Sequence, residues 1–289
     1  MLGGQLTMAF KITTATERME RPRGKKGVIV GPSGIGKTSL LWTLDPATTL
    51  FVNLEAGDLS VQGWAGDSVE GRTWDECRNL ACLIGGPNPA LRPDQPYSQA
   101  HYDFCVSESG GIDLTKYKTL FVDSITVASR LCFQWAKGQP QAFTEKGKPD
   151  TRGAYGLLGQ EVIGWLTQWQ HTPGLNVWLV GILDKKVDDY KVPYWSMQIE
   201  GSKAGLEIPG IVDQLISMVE MRPLDGPPYR AFVCHTMNEW GYPAKDRSGR
   251  LDLIEEPHLG KLMAKIDGPV QPATERLTHT IPTDTPTAP

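Results

Sequence analysis

Short, wholly apolar runs alternate with amphipathic stretches along this chain, and turn-forming residues divide them. Residues 27–30 (Gly-Val-Ile-Val), 48–54 (Thr-Thr-Leu-Phe-Val-Asn-Leu), 119–122 (Thr-Leu-Phe-Val) and 177–182 (Val-Trp-Leu-Val-Gly-Ile) are continuous runs of this kind. They suit strands covered on both faces, as in a parallel sheet. Between them the spacing predicts helices. One starts at residues 39–44 and is ended by Asp45-Pro46, and another opens at the capping box Thr73-Trp74-Asp75-Glu76 and runs to about residue 84. Further helices are predicted over 98–106, 125–136, 154–170 and 258–266. Four prolines make 85–96 a loop, and residues 137–152 and 184–209 read as two more long loops. Residues 214–219 and 230–235 read as strands joined across 223–228, and no internal repeat is visible. Strands alternating with helices predict an α/β chain with a mostly parallel, doubly wound sheet and antiparallel C-terminal edge strands.

The flanks differ from this core, which spans residues 27–266. Residues 1–26 form a polar N-terminal arm, basic at Arg18, Arg21, Arg23, Lys25 and Lys26. Residues 267–289 are rich in Pro and Thr without apolar periodicity and are expected to be a disordered tail. The length of 289 residues suits one large α/β domain with a sizeable core. With 29 Lys and Arg against 33 Asp and Glu, the net charge of −4 supplies no global pull toward nucleic acid or membrane. A polyanionic partner must be met by a local patch. The five cysteines (Cys77, Cys82, Cys105, Cys132, Cys234) form no CxxC pair. Cys77/Cys82 and His101/Cys105 could be imagined as zinc ligands, but the spacing favours buried thiols in a reducing cytoplasm. No signal peptide and no apolar run of bilayer length is visible, so a cytoplasmic protein without membrane contact is expected.

The candidate chemistry starts at Gly31-Pro32-Ser33-Gly34-Ile35-Gly36-Lys37-Thr38, a complete phosphate-binding loop between a strand and a helix, with Ser39 opening that helix. Its glycines let backbone N–H groups turn inward around phosphates, and the helix N-terminus adds partial positive charge. Lys37 reaches the outer phosphates and Thr38 offers its hydroxyl to Mg²⁺. ATP and Mg²⁺ are the expected cofactors. Such sites also need an Asp at the end of a neighbouring strand for the Mg²⁺ shell and a group that activates water. Asp123, ending Phe121-Val122-Asp123, supplies the first. The next residue is Ser124 rather than Glu. A Glu ends the other apolar run, at Phe51-Val52-Asn53-Leu54-Glu55, where it would reach the same sheet edge and polarise water; a solvated Glu at a strand–loop junction is the plain alternative.

Phosphate loop, Glu after the next strand and Asp-Ser after the third together resemble the RecA-like recombinases. The similarity is greatest to the small phage proteins of the Sak group of single-strand annealing recombinases, over residues 26–253. The resemblance implies a RecA-like P-loop NTPase core in which Glu55 activates water and Asp123 anchors the metal shell. It also implies phage origin, DNA-stimulated ATP hydrolysis at borders between subunits of a ring or filament, and work alongside a single-strand-binding protein. Ala244-Lys245-Asp246-Arg247-Ser248-Gly249 is similar to the Lys-x-Arg element that RecA-like ATPases insert into a neighbouring site, although a solvated basic turn describes it equally well. One position departs from the pattern. The strand-four residue that senses the γ-phosphate is usually Gln or His, whereas this chain has Ile182 or its neighbours there, leaving Asp184 or Lys185 as substitutes.

The two long loops carry interleaved cations and aromatics. The first holds Trp135, Lys137, Phe143, Lys146, Lys148, Arg152 and Tyr155; the second holds Lys185, Lys186, Tyr190, Lys191, Tyr194, Trp195 and Lys203. Cations that track phosphates beside aromatics that stack bases suit single-stranded nucleic acid, though aromatics packed back on the sheet would give the same pattern. The expected function is an ATP-dependent, single-stranded-DNA-binding recombinase or annealing protein. A nucleotide-gated DNA scaffold with little turnover is the alternative, as is a helicase loader or motor of the AAA+ type. The AAA+ reading wants a Glu beside Asp123 and a long helical lid. No base-reading Asn-Lys-x-Asp segment points to a GTPase, and no Arg-rich lid points to a small-molecule kinase.

Overall fold

The computed structural model describes residues 12–269, the side chains of Ser202 and Lys203 excepted. The expected arm and tail therefore lie outside the described residues over 1–11 and 270–289. Ten strands form the sheet framework: β1 Lys26–Gly31, β2 Thr49–Asn53, β3 Asp67–Glu70, β4 Thr119–Asp123, β5 Asn176–Val187, β6 Pro193–Met197, β7 Gln214–Met221, β8 Tyr229–Val233, β9 Lys245–Asp246 and β10 Ile254–Glu255. Their order is β10-β8-β7-β1-β5-β4-β2-β3, with β6 paired to β5 and β9 to β7. The pairs from β3 through to β7 along this path are parallel. The β7–β8, β8–β10, β7–β9 and β5–β6 pairs are antiparallel. This is a doubly wound, mostly parallel α/β fold with antiparallel edge strands.

The helices are α1 Ala15–Glu20, α2 Trp74–Gly85, α3 Gln99–Glu108, α4 Ile125–Lys137, α5 Thr151–His171, α6 Ser202–Ile211 and α7 Leu259–Ile266. Successive residues of the central strands face opposite layers, which is why the middles of those strands are apolar on both faces. Val28, Val30, Leu50, Val52, Leu120, Val122, Val177 and Leu179 pack with α2, α4 and α5 on one face. Ile29, Phe51, Phe121, Trp178, Val180 and Phe232 pack with the segment after the phosphate loop and α7 on the other. Local capping sets the helix starts. Thr73 and Glu76 close the expected capping box, while Ser98, Ser124 and Asp150 cap α3, α4 and α5.

Several segments differ from expectation, among them a short helix, α1, inside the expected arm. Residues 184–209, expected as loop, instead continue β5 to Val187, return as β6 and then form α6. Pro209 lies inside α6, but Ala204 and Ile208, one helical turn apart, are fully buried and hold the helix to the core. The helix expected after the phosphate loop is a six-residue 3-10 segment, Thr38–Thr43. Asp45 stops it by accepting bonds from the Ala47 N–H and the Thr48 hydroxyl, at 3.1 and 2.7 Å. Lys26, read as part of a basic arm, is the first residue of β1 and only 5% exposed, its ammonium donating to the Leu175 carbonyl.

Candidate functional site

β1 carries its chain straight into the phosphate loop at the carboxyl edge of the sheet. A Cβ on Gly31 would meet the Met218 carbonyl oxygen of β7 at 2.4 Å, so no larger residue fits this close approach. Gly34 and Gly36 hold φ at 78° and 100°, conformations that glycine alone adopts without strain. Ile35 packs partly into the core beneath the loop and pins it there. The Lys37 ammonium folds back over the loop, donating to the Gly31 and Pro32 carbonyls at 3.0 Å each. Burial lowers its pKa, and the charges of Asp123 and Glu55 oppose that shift. Because the following segment is a short 3-10 turn, positive potential at this loop comes from Lys37 and the loop N–H groups more than from a helix dipole.

β5 separates β1 from β4, and Asp123 ends β4 beside Asn53 of β2 and Val180 of β5. The Thr38 hydroxyl bridges the gap, donating to Asp123 Oδ2 at 2.6 Å. Burial, aided by the charge of Glu55, pushes the Asp123 carboxyl up to about 6 against the downward pull of the Thr38 bond and Lys37. A hydroxyl beside a buried carboxylate short of positive partners is the oxygen donor set that a hard divalent cation such as Mg²⁺ uses. Glu55 leaves the turn after β2, whose Leu54 N–H donates to the Asp123 carbonyl at 2.7 Å. Its carboxylate accepts the Ser124 hydroxyl, which also caps α4 by accepting from the Val127 N–H at 3.3 Å. Lys37, Thr38, Asp123 and Glu55 thus meet at one rim of the sheet, with Glu55 alone largely open to solvent.

Lys245 and Arg247 are not free cations. Lys245 donates to the carbonyls of Pro209 and Val212, and Arg247 donates to the Gly210 carbonyl at 2.8 Å and pairs with Asp213 at 3.1 Å. Both are spent tying β9 to the C-terminal end of α6, where unpaired helix carbonyls attract cations. A reach into another subunit would have to break these bonds. At the sensor position, Ile182 pairs with Gly31 in register and offers no polar side chain. Its carbonyl accepts from the Gln198 backbone N–H at 2.8 Å, so an amide-bearing residue stands beside that strand end. Sequence reading missed Gln198 because the pairing of β5 with β6 was not legible.

The loop residues assigned to DNA fall into two settings. In the first, a tight turn at 144–148 exposes Phe143, Lys146 and Lys148, and Arg152 is exposed in the first turn of α5. Lys137 stands 4.9 Å over the Phe133 ring, and Tyr155 stacks on that ring at 4.5 Å. In the second, β5 and β6 form a ribbon that places Lys185 opposite Trp195 and Lys186 opposite Tyr194. Trp195 is half-buried and rests on Tyr242 at 5.0 Å, which removes it from the exposed set. Tyr190 (88% exposed), Tyr194 and Lys191 are open around the tip. Asp188 folds that tip by accepting from the N–H groups of Tyr190 and Val192, at 2.9 and 2.8 Å. The side chain of Lys203 lies outside the described residues.

Cys82, His101 and Cys105 bring their ligand atoms within 4.8 Å of one another between α2 and α3. Both imidazole nitrogens are engaged, Nδ1 by the Tyr97 N–H and Nε2 by the Asn79 amide oxygen, each at 2.9 Å. No lone pair is then left for an ion. All five thiols are buried, and that burial pushes Cys77 and Cys82 up to about 12. A cavity of about 600 Å³ between the 85–97 loop and α5, bordered by Pro87, Tyr97, Glu161 and His171, contains none of the phosphate-loop residues. No helix among the described residues is long and apolar enough to cross a membrane.

A family model described as an AAA domain matches residues 23–248. No curated protein matches the chain. Among solved structures, the pCW3 conjugation coupling protein TcpA, in its monomer form with ATPγS, is similar at 12% identity and a TM-score of 0.30, over 67% of this chain. The match spans 49% of that protein, about half its length.

Proposed function

The chain belongs to this AAA domain family of P-loop ATPases, and on that premise we propose that it couples ATP hydrolysis to its grip on single-stranded DNA, as a recombinase or annealing protein similar to the phage Sak group. Lys37 and the loop N–H groups hold the triphosphate, and Glu55 polarises the attacking water from the end of β2, the strand beside β4. Thr38 and Asp123 would hold Mg²⁺, which when bound neutralises charge on the phosphates. The observation that carries the reading is the ribbon. β5 pairs with the phosphate-loop strand as far as Ile182 and continues to Val187 through exposed Lys185 and Lys186, and the turn that follows it carries exposed Tyr190 and Lys191. A single strand beside the nucleotide loop therefore leads to a cationic and aromatic surface fit for phosphates and bases. Copies of this chain in a ring or filament, met by a single-strand-binding protein, complete the proposal.

ATP turnover with and without a single-stranded oligonucleotide, alongside Glu55→Gln, tests it. The oligonucleotide raises turnover several-fold, and Glu55→Gln lowers it at least about 100-fold while ATP still binds. Turnover indifferent to both defeats the reading. The apolar Ile182 at the sensor position favours a second reading, a nucleotide-gated DNA scaffold. That one is distinguished by ATP-dependent DNA binding with almost no turnover in the unaltered protein.

A further inference from the structure

Arg230 of β8 stands opposite Glu220 of β7 in the antiparallel register, where a cross-strand ion pair would be ordinary. That pair is not made. Glu220 accepts instead from Arg222 at 2.7 Å, and the Arg230 guanidinium turns toward the phosphate loop. One of its terminal nitrogens, Nη1, lies 3.0 Å from where a Cβ on Gly36 would sit, and its central carbon 3.6 Å away. It therefore rests against the residue immediately before Lys37. Arg230 is exposed, and no carboxylate or carbonyl among the described residues is bonded to it.

We infer that Arg230 binds the phosphate chain of the nucleotide, within the same subunit, from the β7–β8 flank of the loop. Asp123 and Glu55 stand on the opposite flank, since β5, β4 and β2 lie on one side of β1 and β7 and β8 on the other. An unpaired guanidinium presents a planar fork of N–H donors that matches phosphate oxygens two at a time. Held beside Gly36, it adds a second cation to the one that Lys37 brings, and the triphosphate is gripped from both sides. The inference rests on the loop being the nucleotide site.

Titrations of ATPγS and of inorganic tripolyphosphate against the full chain test it, using the unaltered protein, Arg230→Met and Arg230→Lys. Arg230→Met keeps the apolar stem and loses the fork. It weakens both ligands about tenfold and leaves the unfolding temperature of the ligand-free protein unchanged, while Arg230→Lys recovers part of the loss. Unaltered ATPγS binding by Arg230→Met overturns the inference. Weakened ATPγS with unchanged tripolyphosphate does so too, because the contact would then be to the nucleoside. A lower unfolding temperature that Arg230→Lys fails to restore in binding assigns the residue to packing and also overturns it. If the unaltered protein binds neither ligand, the nucleotide site itself is wrong; if it binds both and Arg230→Met matches it, only this inference falls.

Discussion

Lys26 shows how a single side chain can cost stability inside a well-packed strand. Its ammonium is buried at the start of β1, and its bond to the Leu175 carbonyl supplies one acceptor for three donors. Desolvation lowers its pKa to about 8, with Asp213 opposing the shift. The unfolded chain, with an ordinary lysine, then binds more protons than the folded one between about pH 8 and 10.5, so this residue makes stability rise with pH through that window. Replacing it isolates the effect from other titrating groups. The stability of the unaltered protein relative to Lys26→Met climbs by about 2 kcal/mol between pH 7 and pH 9.5, read from urea unfolding at each pH. A flat difference would mean that the ammonium is hydrated. The same desolvation acts on Lys37 and Asp123, but there the partners are in place for a triphosphate and its cation.

Among the elements, the β5–β6 ribbon has the most to explain. Tyr190→Ala combined with Lys191→Ala removes one stacking ring and one cation at its tip. Oligonucleotide affinity falls by at least about tenfold, while ATPγS affinity is unchanged because Ile182 and Gly31 are untouched; fluorescence anisotropy and calorimetry read the two. The tie at the end of α6 gives another test. Lys245→Met leaves the Pro209 and Val212 carbonyls short of a donor and lowers the unfolding free energy by about 1–2 kcal/mol, seen in denaturant melts. These elements also show what the sequence made legible. The phosphate loop, Asp123 and Glu55 stand out because each comes at the end of a largely apolar run. Thr73 and Glu76 mark the start of α2 through local bonding alone. The ribbon and α6 do not show, since β6 owes its pairing to β5 rather than to its own composition, and Pro209 disguises a helix held by the burial of Ala204 and Ile208. Nor do β3, β9 and β10, whose two to four residues gain a strand's geometry only from their neighbours.

For the whole molecule, the proposed grip on DNA requires an acidic chain to confine its attraction to one rim. The parallel strands β1 and β4 end at that rim and β5 runs on past it. If subunits assemble through ATP, particles imaged with ATPγS and a single-stranded oligonucleotide appear as rings or filaments, and Lys37→Ala leaves only single subunits. Sedimentation showing the same size with and without nucleotide would remove assembly from the account. The interior holds a practical consequence of another kind. Every native thiol is sealed in the core, with Cys77 and Cys82 kept protonated far above neutrality. Maleimide dyes should therefore ignore the folded wild type, and a cysteine introduced for Tyr190 becomes the one handle they find. The protein arrives ready for a single fluorophore at the ribbon's tip, with no native cysteine to delete first.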